Sequence, residues 1–198
     1  MALDHSCQVQ RHSLADRGND LYETPPVAVQ ALLRVHDLPH NLWEPACGRG
    51  KIACVLADAG HRVYGTDLVH YGIFQGGIDF LMERHLPHPD IEAIITNPPF
   101  KLAEEFVEHA LTLCPKVVML LRLAFYESQR RSPILDSGWL ARIYAFRKRL
   151  PMMHRDGWEG KKANSGMAFA WFVWDKNHQG PTTIRRISWE DDRDALSG

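Results

Sequence analysis

Apolar residues recur along this chain in two alternating rhythms, one of helical spacing and one of short, nearly continuous runs. Residues 1–20 show neither and read as an N-terminal arm. At Thr24-Pro25-Pro26 a candidate hydroxyl N-cap precedes prolines, which suit a first helical turn because their missing N–H has no intrahelical partner there. Val27, Leu32, Leu33 and Val35 then give an apolar stripe that ends before Asp37-Leu38-Pro39. Asn41–Glu44 reads as a short strand, followed by a glycine-rich turn. A helix over Lys51–Ala59 carries Ile52, Val55, Leu56 and Ala59 at helical spacing, with Gly60 as its stop. Strands are expected at Arg62–Thr66, Ile91–Thr96 and Lys116–Leu121, and an amphipathic helix at Leu102–Leu113. The unbroken apolar run of Lys116–Leu121 fits a strand buried on both faces of a parallel sheet.

Strands alternating with helices predict a doubly wound, Rossmann-like α/β fold with a mostly parallel central sheet. The last third changes character. Arg142–Phe146, Ala168–Trp174 and Thr183–Trp189 are strand-like with no helical pattern between them, so antiparallel additions at one edge are expected. The organisation read from this pattern is an arm at 1–20, a single domain at 21–190 with a basic loop at 147–166, and a tail at 191–198.

Composition narrows the class. At 198 residues, 45% hydrophobic and 24% charged, the chain is neither disordered, collagenous nor coiled-coil. Cys7, Cys47, Cys54 and Cys114 have no CxxC spacing, and three of them are expected as small core residues in a reducing compartment. The eleven histidines include no HExxH, and no metal site is expected. No apolar run approaches the ~18 residues of a membrane span. The polar N-terminus resembles neither a signal nor a transit peptide, so a soluble cytoplasmic protein is expected.

The net charge of −1 hides an asymmetry. Residues 1–121 carry 9 Lys/Arg against 15 Asp/Glu, a net of −6, whereas residues 122–162 carry 10 against 4, a net of +6. A basic block on a neutral-to-acidic body suits a polyanion-facing surface. A solvated face accounts for the charge count equally well.

Two strand ends carry candidate chemistry. The turn Glu44-Pro45-Ala46-Cys47-Gly48-Arg49-Gly50 links a strand to a helix, where glycines allow close backbone approach and the helix supplies free N–H groups. It is not a P-loop, and Ala53 stands at the third glycine of a dinucleotide fingerprint. Glu44 would repel a pyrophosphate but suits an ammonium group. Asp67 ends the next strand, where a carboxylate can accept both hydroxyls of a ribose. Singly, each acid is accounted for by capping or solvent exposure; together at this spacing they favour a ligand site.

The sharpest signal is Asn97-Pro98-Pro99-Phe100 directly after an apolar strand. Two prolines stiffen the turn and leave carbonyls free to accept. Asn97 adds a side-chain carbonyl and Phe100 an apolar plate, which suits a planar ring bearing an amino group. Here the sequence resembles the S-adenosylmethionine-dependent N6-adenine DNA methyltransferases, members of the class I, Rossmann-like methyltransferases, over residues 22–122. The resemblance implies catalytic roles for Asn97, Pro98, Pro99 and Phe100. It implies cofactor contacts from Tyr22, Thr24, Glu44, Ala46, Gly48, Gly50, Asp67 and Leu68. It also implies that Asp79 binds the cofactor's adenine amino group while Phe80 packs on its ring. The long target-recognition domain of the restriction-associated members is missing from this pattern. Related motifs serve RNA adenine and protein glutamine methyltransferases, so those acceptors stay open, as does a non-catalytic cofactor- or nucleic-acid-binding module.

Arg147, Lys148, Arg149, His154, Arg155, Trp158, Lys161 and Lys162 fall between two expected C-terminal strands. In the resembling fold this connection borders the active-site face. Its cations would hold phosphates of DNA, with RNA as the alternative, and Trp158 or His154 would stack on bases. A solvated surface loop is the alternative.

Overall fold

The computed structural model of the chain describes residues 23–151 and 166–190. The expected arm at 1–20 and tail at 191–198 lie outside the described residues, as does most of the loop at 147–166. In chain order the elements are α1 (Pro26–Leu33), β1 (Asn41–Glu44), α2 (Lys51–Asp58), β2 (Arg62–Gly65), β3 (Ala93–Thr96), α3 (Ala103–Leu113), β4 (Lys116–Arg122), α4 (Ser132–Leu135), β5 (Leu140–Phe146), β6 (Phe169–Asp175) and β7 (Thr183–Ile187). Among the described residues they form one seven-stranded sheet in the order β2-β1-β3-β4-β6-β5-β7.

The first four strands are parallel, with Trp43 beside Tyr64 and Ile94, and Ile95 beside Val118. Side chains alternate across this sheet, so each strand feeds two cores. Leu42, Ala93, Ile95, Val118 and Leu120 pack with α1 and α2 through Leu32, Ile52 and Leu56. Trp43, Ile94, Val117, Met119 and Leu121 pack on the other face with Phe106, Val107 and Ala110 of α3. The sheet is therefore covered on both sides, as expected of a doubly wound α/β fold.

The C-terminal strands refine the expectation of antiparallel additions. Only β6 runs against its neighbours: it pairs antiparallel with both β4 and β5, while β7 pairs parallel with β5. Strand β6 holds the centre of this half because Phe169–Trp174 are all buried. Its two indoles are satisfied there, Trp171 Nε1–H donating to the Ala28 carbonyl and Trp174 Nε1–H to that of Ile134, both at 2.9 Å.

Two local expectations are corrected. Pro25, not Thr24, is the N-cap of α1, and no side chain caps that helix. Pro26 takes the first helical position, so the N-terminal donors that a cap would serve are already fewer. Of the cysteines expected in the core, Cys47 and Cys114 are buried but Cys54 is exposed on α2.

Strand order positions the site. The chain moves from β1 outward to β2, then crosses back to place β3 on the other side of β1. In open α/β sheets a crevice forms at the carboxyl ends of the strands where the order reverses. The segments leaving β1 and β3 at that point are Pro45–Gly50 and Asn97–Phe100.

Candidate functional site

A cavity of about 250 Å³ lies at this reversal. Its walls bring together residues far apart in sequence: Thr24 before α1, Glu44, Ala46 and Gly48 after β1, Asp67 and Leu68 after β2, and Asn97, Pro98, Pro99 and Phe100 after β3. Thr24, relieved of capping, is 4% exposed and faces this space.

Hydrogen bonds to backbone hold the two acids. Glu44, 1% exposed, accepts the Ala53 N–H in the first turn of α2 at 2.9 Å through Oε2. Burial pushes its carboxyl well above the ordinary carboxylate range; the Ala53 N–H opposes that rise and the nearby Asp67 adds to it. Asp67 accepts the Gly48 N–H at 2.7 Å through Oδ2 and the Val69 N–H at 2.8 Å through Oδ1. Each carboxylate oxygen retains a further lone pair for a ligand hydroxyl. Trp43 Nε1–H donates to Thr66 Oγ1 at 2.9 Å and so ties the ends of β1 and β2 together. Burial, aided by Glu44 and Asp67, pushes the Cys47 thiol up to about 12, which leaves it without thiolate character.

Gly50 does not line the cavity. Its φ of +76° suits glycine, and a Cβ there would meet Cε2 of Phe74 at 2.3 Å. A Cβ on Gly65 would meet the other edge of the same ring at 2.5 Å. Phe74 is thus wedged between the two turns, a role that neither glycine signals alone.

Other expected residues lie apart from the cavity. Phe80 is 2% exposed and packs in the α3-side core, edge-on to Trp43 at a ring-centroid distance of 5.2 Å. Exposed Asp79 accepts the Leu81 N–H at 3.1 Å, capping the 3-10 turn Phe80–Met82. Neither borders the cavity as the resemblance implies, because that turn draws the ring beneath the sheet. Tyr22 lies outside the described residues. Val69 and Tyr71, on the segment after β2, and Arg49, 3.9 Å from Glu23, line the cavity without having been anticipated. Their only sequence signal is proximity to Asp67 and Gly48.

On the β3 side, Oδ1 of Asn97 is buried. Phe100 is not the open plate anticipated from sequence. The Arg122 guanidinium lies 4.3 Å from its ring centroid, and the Phe169 ring is tilted against it at 5.7 Å. Arg147, Lys148 and Arg149, all exposed, line a groove with Phe146, Ala168 and Trp189. Lys148 pairs with Glu190 at 2.7 Å. Ala168 precedes Phe169, so the groove adjoins the Phe100 contact. His154, Arg155, Trp158, Lys161 and Lys162 lie outside the described residues. Among the described residues no three potential ligands cluster for a metal ion, and no helix is long and apolar enough to cross a membrane.

This architecture has solved counterparts. A methyltransferase subunit of a type I restriction-modification system from Streptococcus thermophilus aligns over 83% of this chain with a TM-score of 0.60 and 12% identity. The chain spans about half of that subunit, 47% of its length. A putative RNA methyltransferase from Pyrococcus horikoshii aligns over 78% of this chain and 86% of its own, with a TM-score of 0.58 and 15% identity. A putative class I S-adenosylmethionine-dependent methyltransferase from Listeria monocytogenes aligns over 86% and 66%, with a TM-score of 0.55 and 12% identity.

The fold is that of the class I methyltransferases.

No family model matches the chain, and no curated protein matches it in sequence. At these identities the likeness is one of fold, and the methyltransferase fold alone does not assign a reaction. The residues at the strand ends must do so.

Proposed function

We propose that this protein transfers a methyl group from S-adenosylmethionine to the N6 amino group of adenine in DNA. The observation that carries this reading is the single cavity in which Glu44 and Asp67 face Asn97, Pro98 and Phe100. S-adenosylmethionine bears an ammonium, a sulfonium and a ribose diol, and the donor set suits each feature. Buried Glu44 awaits a cation that would favour its ionised form, and Asp67 retains lone pairs for hydroxyls. Thr24, Ala46, Gly48 and Leu68 complete the enclosure, and Gly50 shapes the turn from behind. When bound, the cofactor supplies a methyl group activated by the adjacent sulfonium.

The chain's own residues perform the rest. The N6 lone pair of adenine is delocalised into the ring, so the amine is a poor nucleophile. The Asn97 side-chain carbonyl and the Pro98 backbone carbonyl accept its two hydrogens and turn the lone pair toward the methyl group. Pro99 stiffens that acceptor pair, and Phe100 bounds the ring's plane. The methyl–sulfur bond would break as the nitrogen–methyl bond forms, the cofactor leaving as its neutral thioether and one amino proton passing to solvent, so no enzyme nucleophile is needed, consistent with the inert Cys47. Positioning and complementarity to developing charge supply the rate gain.

Nucleic acid is favoured as acceptor by the cationic groove of Arg147, Lys148 and Arg149 beside Phe169. The name of the restriction-modification fold neighbour supports DNA within that class. A base in duplex DNA must leave the stack to reach such a site, at a cost of a few kcal/mol.

The test is incubation of the purified protein with S-adenosylmethionine and unmethylated DNA, RNA or glutamine-containing peptide, followed by mass spectrometry of the hydrolysed products. N6-methyladenine in the DNA is expected. Methyl incorporation confined to RNA or peptide would overturn the DNA assignment while retaining the transfer chemistry.

A further inference from the structure

Arg122 ends β4, the strand beside β3, and extends over the ring of the Asn97–Phe100 segment. A guanidinium 4.3 Å from the Phe100 centroid takes the ground that a stacked base would need. The Phe169 ring is already packed on Phe100 as well. A target ring therefore stacks on that face of Phe100 only if Arg122 moves.

The missing partner of Arg122 makes that movement conditional. Its Nε–H is buried and has no hydrogen-bond partner, and among the described residues no carboxylate lies within ion-pair distance of it. Arg131, across a second cavity of about 190 Å³ that Phe100 and Arg122 also line, offers the contrast. It too lies 4.3 Å over an aromatic ring, that of Phe125, but it donates to Glu104 at 3.0 Å and to the Phe125 carbonyl at 3.0 Å. One guanidinium is a satisfied brace. The other is a half-buried cation resting on a π-face with its Nε–H left over, a donor that an incoming anion would satisfy. The planar fork of arginine suits the oxygens of a phosphodiester, whereas a neutral amide or a bare nucleoside brings no such partner.

We propose that Arg122 selects the acceptor: it covers Phe100 until a phosphate flanking the target nucleotide gives its guanidinium a new partner, and the uncovered ring then receives the base. This rests on the nucleic-acid reading above and adds to it a residue that couples backbone binding to access.

The test uses the full chain loaded with S-adenosylhomocysteine. Two probes, deoxyadenosine and deoxyadenosine 3′,5′-bisphosphate, are titrated by ligand-observed NMR; the bisphosphate carries the phosphates found on both sides of a target nucleotide. The wild type is expected to bind the bisphosphate at least about tenfold more tightly, the scale of one charge-assisted hydrogen bond. In Arg122→Met the preference should lose most of that factor, the remainder being what the groove cations supply, with deoxyadenosine gaining affinity because the ring is open. Arg122→Lys should retain part of the preference. Unchanged S-adenosylhomocysteine affinity in each variant reports an intact fold. A full preference for the bisphosphate in Arg122→Met would overturn the role of Arg122 alone. If the wild type bound neither probe nor a deoxyadenylate 12-mer while methylating a glutamine peptide, this proposal and the DNA reading would fall together.

Discussion

The two sides of the cavity are assembled by different means. On the β1–β2 side, the carboxylates of Glu44 and Asp67 are pinned by the backbone N–H groups of Ala53, Gly48 and Val69. On the β3–β4 side, Phe100 is set by side chains from elsewhere, Arg122 and Phe169, and a guanidinium donor is left without a partner. A backbone-pinned site is preorganised for a ligand of constant shape, because its geometry survives side-chain motion. A side-chain-set site can rearrange for a large acceptor. On the proposed reading, the contrast suits a transferase whose one substrate is always the same small molecule and whose other arrives in a polymer.

If the division holds, mutations on the two sides should separate transfer from cofactor binding. The largest effect is expected from Asn97→Ala, which in the proposed mechanism removes one of the two acceptors for the amino hydrogens. Single-turnover rates should fall by about 10²–10³, the scale of removing one preorganised polar contact in a transition state. Calorimetry should show an unchanged Kd for S-adenosylmethionine; a loss of cofactor affinity in step with rate would dissolve the division.

Asp67→Ala should do the reverse. It would remove the proposed ribose acceptor and also releases two backbone N–H groups, each bond to a charged group being worth about 1.5–3 kcal/mol. The Kd for S-adenosylmethionine should rise by about one to two orders of magnitude, measurable by calorimetry, and Tm should fall.

Gly65→Ala tests whether Phe74 braces the two turns. The new methyl group meets the ring at 2.5 Å, so a loss of about 1–3 kcal/mol is expected in urea unfolding. Phe74→Leu in the same chain should return part of that loss. If Gly65→Ala were neutral, the wedge would not be tight.

Glu44 sharpens the comparison through pH. Its folded-state carboxyl sits above the ordinary value of 4.5, so the native state holds a proton that the unfolded chain releases. Its contribution to stability is complete below the unfolded value and is lost as pH rises through the folded one. Glu44→Gln should flatten the stability profile over that window. A bound cation favours the anionic form, so S-adenosylmethionine affinity in the wild type should rise with pH across the same window. Calorimetry in buffers of different ionisation heat should detect the released proton, and Glu44→Gln should release none.

The smallest effect concerns the groove. Replacing Arg147 and Arg149 with alanine should flatten the log–log salt dependence of duplex binding by up to about 0.9 per lost phosphate contact. Lys148→Ala should change it less, because that ammonium already pairs with Glu190 at 2.7 Å. Fluorescence titrations at several salt concentrations would rank the three.

Much of the β1–β2 side was legible in the sequence because it is made locally. A strand, a glycine turn and a helix follow one another within Asn41–Asp58, and the polar partners of Glu44 and Asp67 lie within that stretch or next to it. Asn97–Phe100 was legible for the same reason, and the four parallel strands were anticipated to within two residues at each end. What could not be read depends on contacts between distant segments. Thr24 carried a capping signal, yet Pro25 took the cap and left Thr24 to the cavity wall. Phe80 matched a ligand-packing position, but the Asp79-capped turn places its ring among Trp43, Phe106 and His109. Gly50 read simply as part of a flexible turn and Gly65 as one residue of a strand, and nothing along the chain signalled that Phe74 packs between them. The direction of β7 was equally hidden, since pattern along a strand says which faces are buried and nothing about its partner's polarity.

The central place of β6 bears on how the chain is made. Strand β5 leaves the ribosome before β6 yet, among the described residues, pairs with the body of the sheet only through it, and β7 in turn hangs on β5. While residues up to about 166 are emerging, β4 therefore presents an open, strongly apolar edge, Val117–Leu121, with no strand to close it. Unpaired edges of this kind invite pairing with other chains. Closure waits for synthesis of Phe169–Asp175 and then joins two neighbours at once, so the late-made strand acts as the latch of the domain. Slow translation just upstream of residue 169 would prolong the vulnerable interval, and aggregation of nascent chains should rise with the length of that pause.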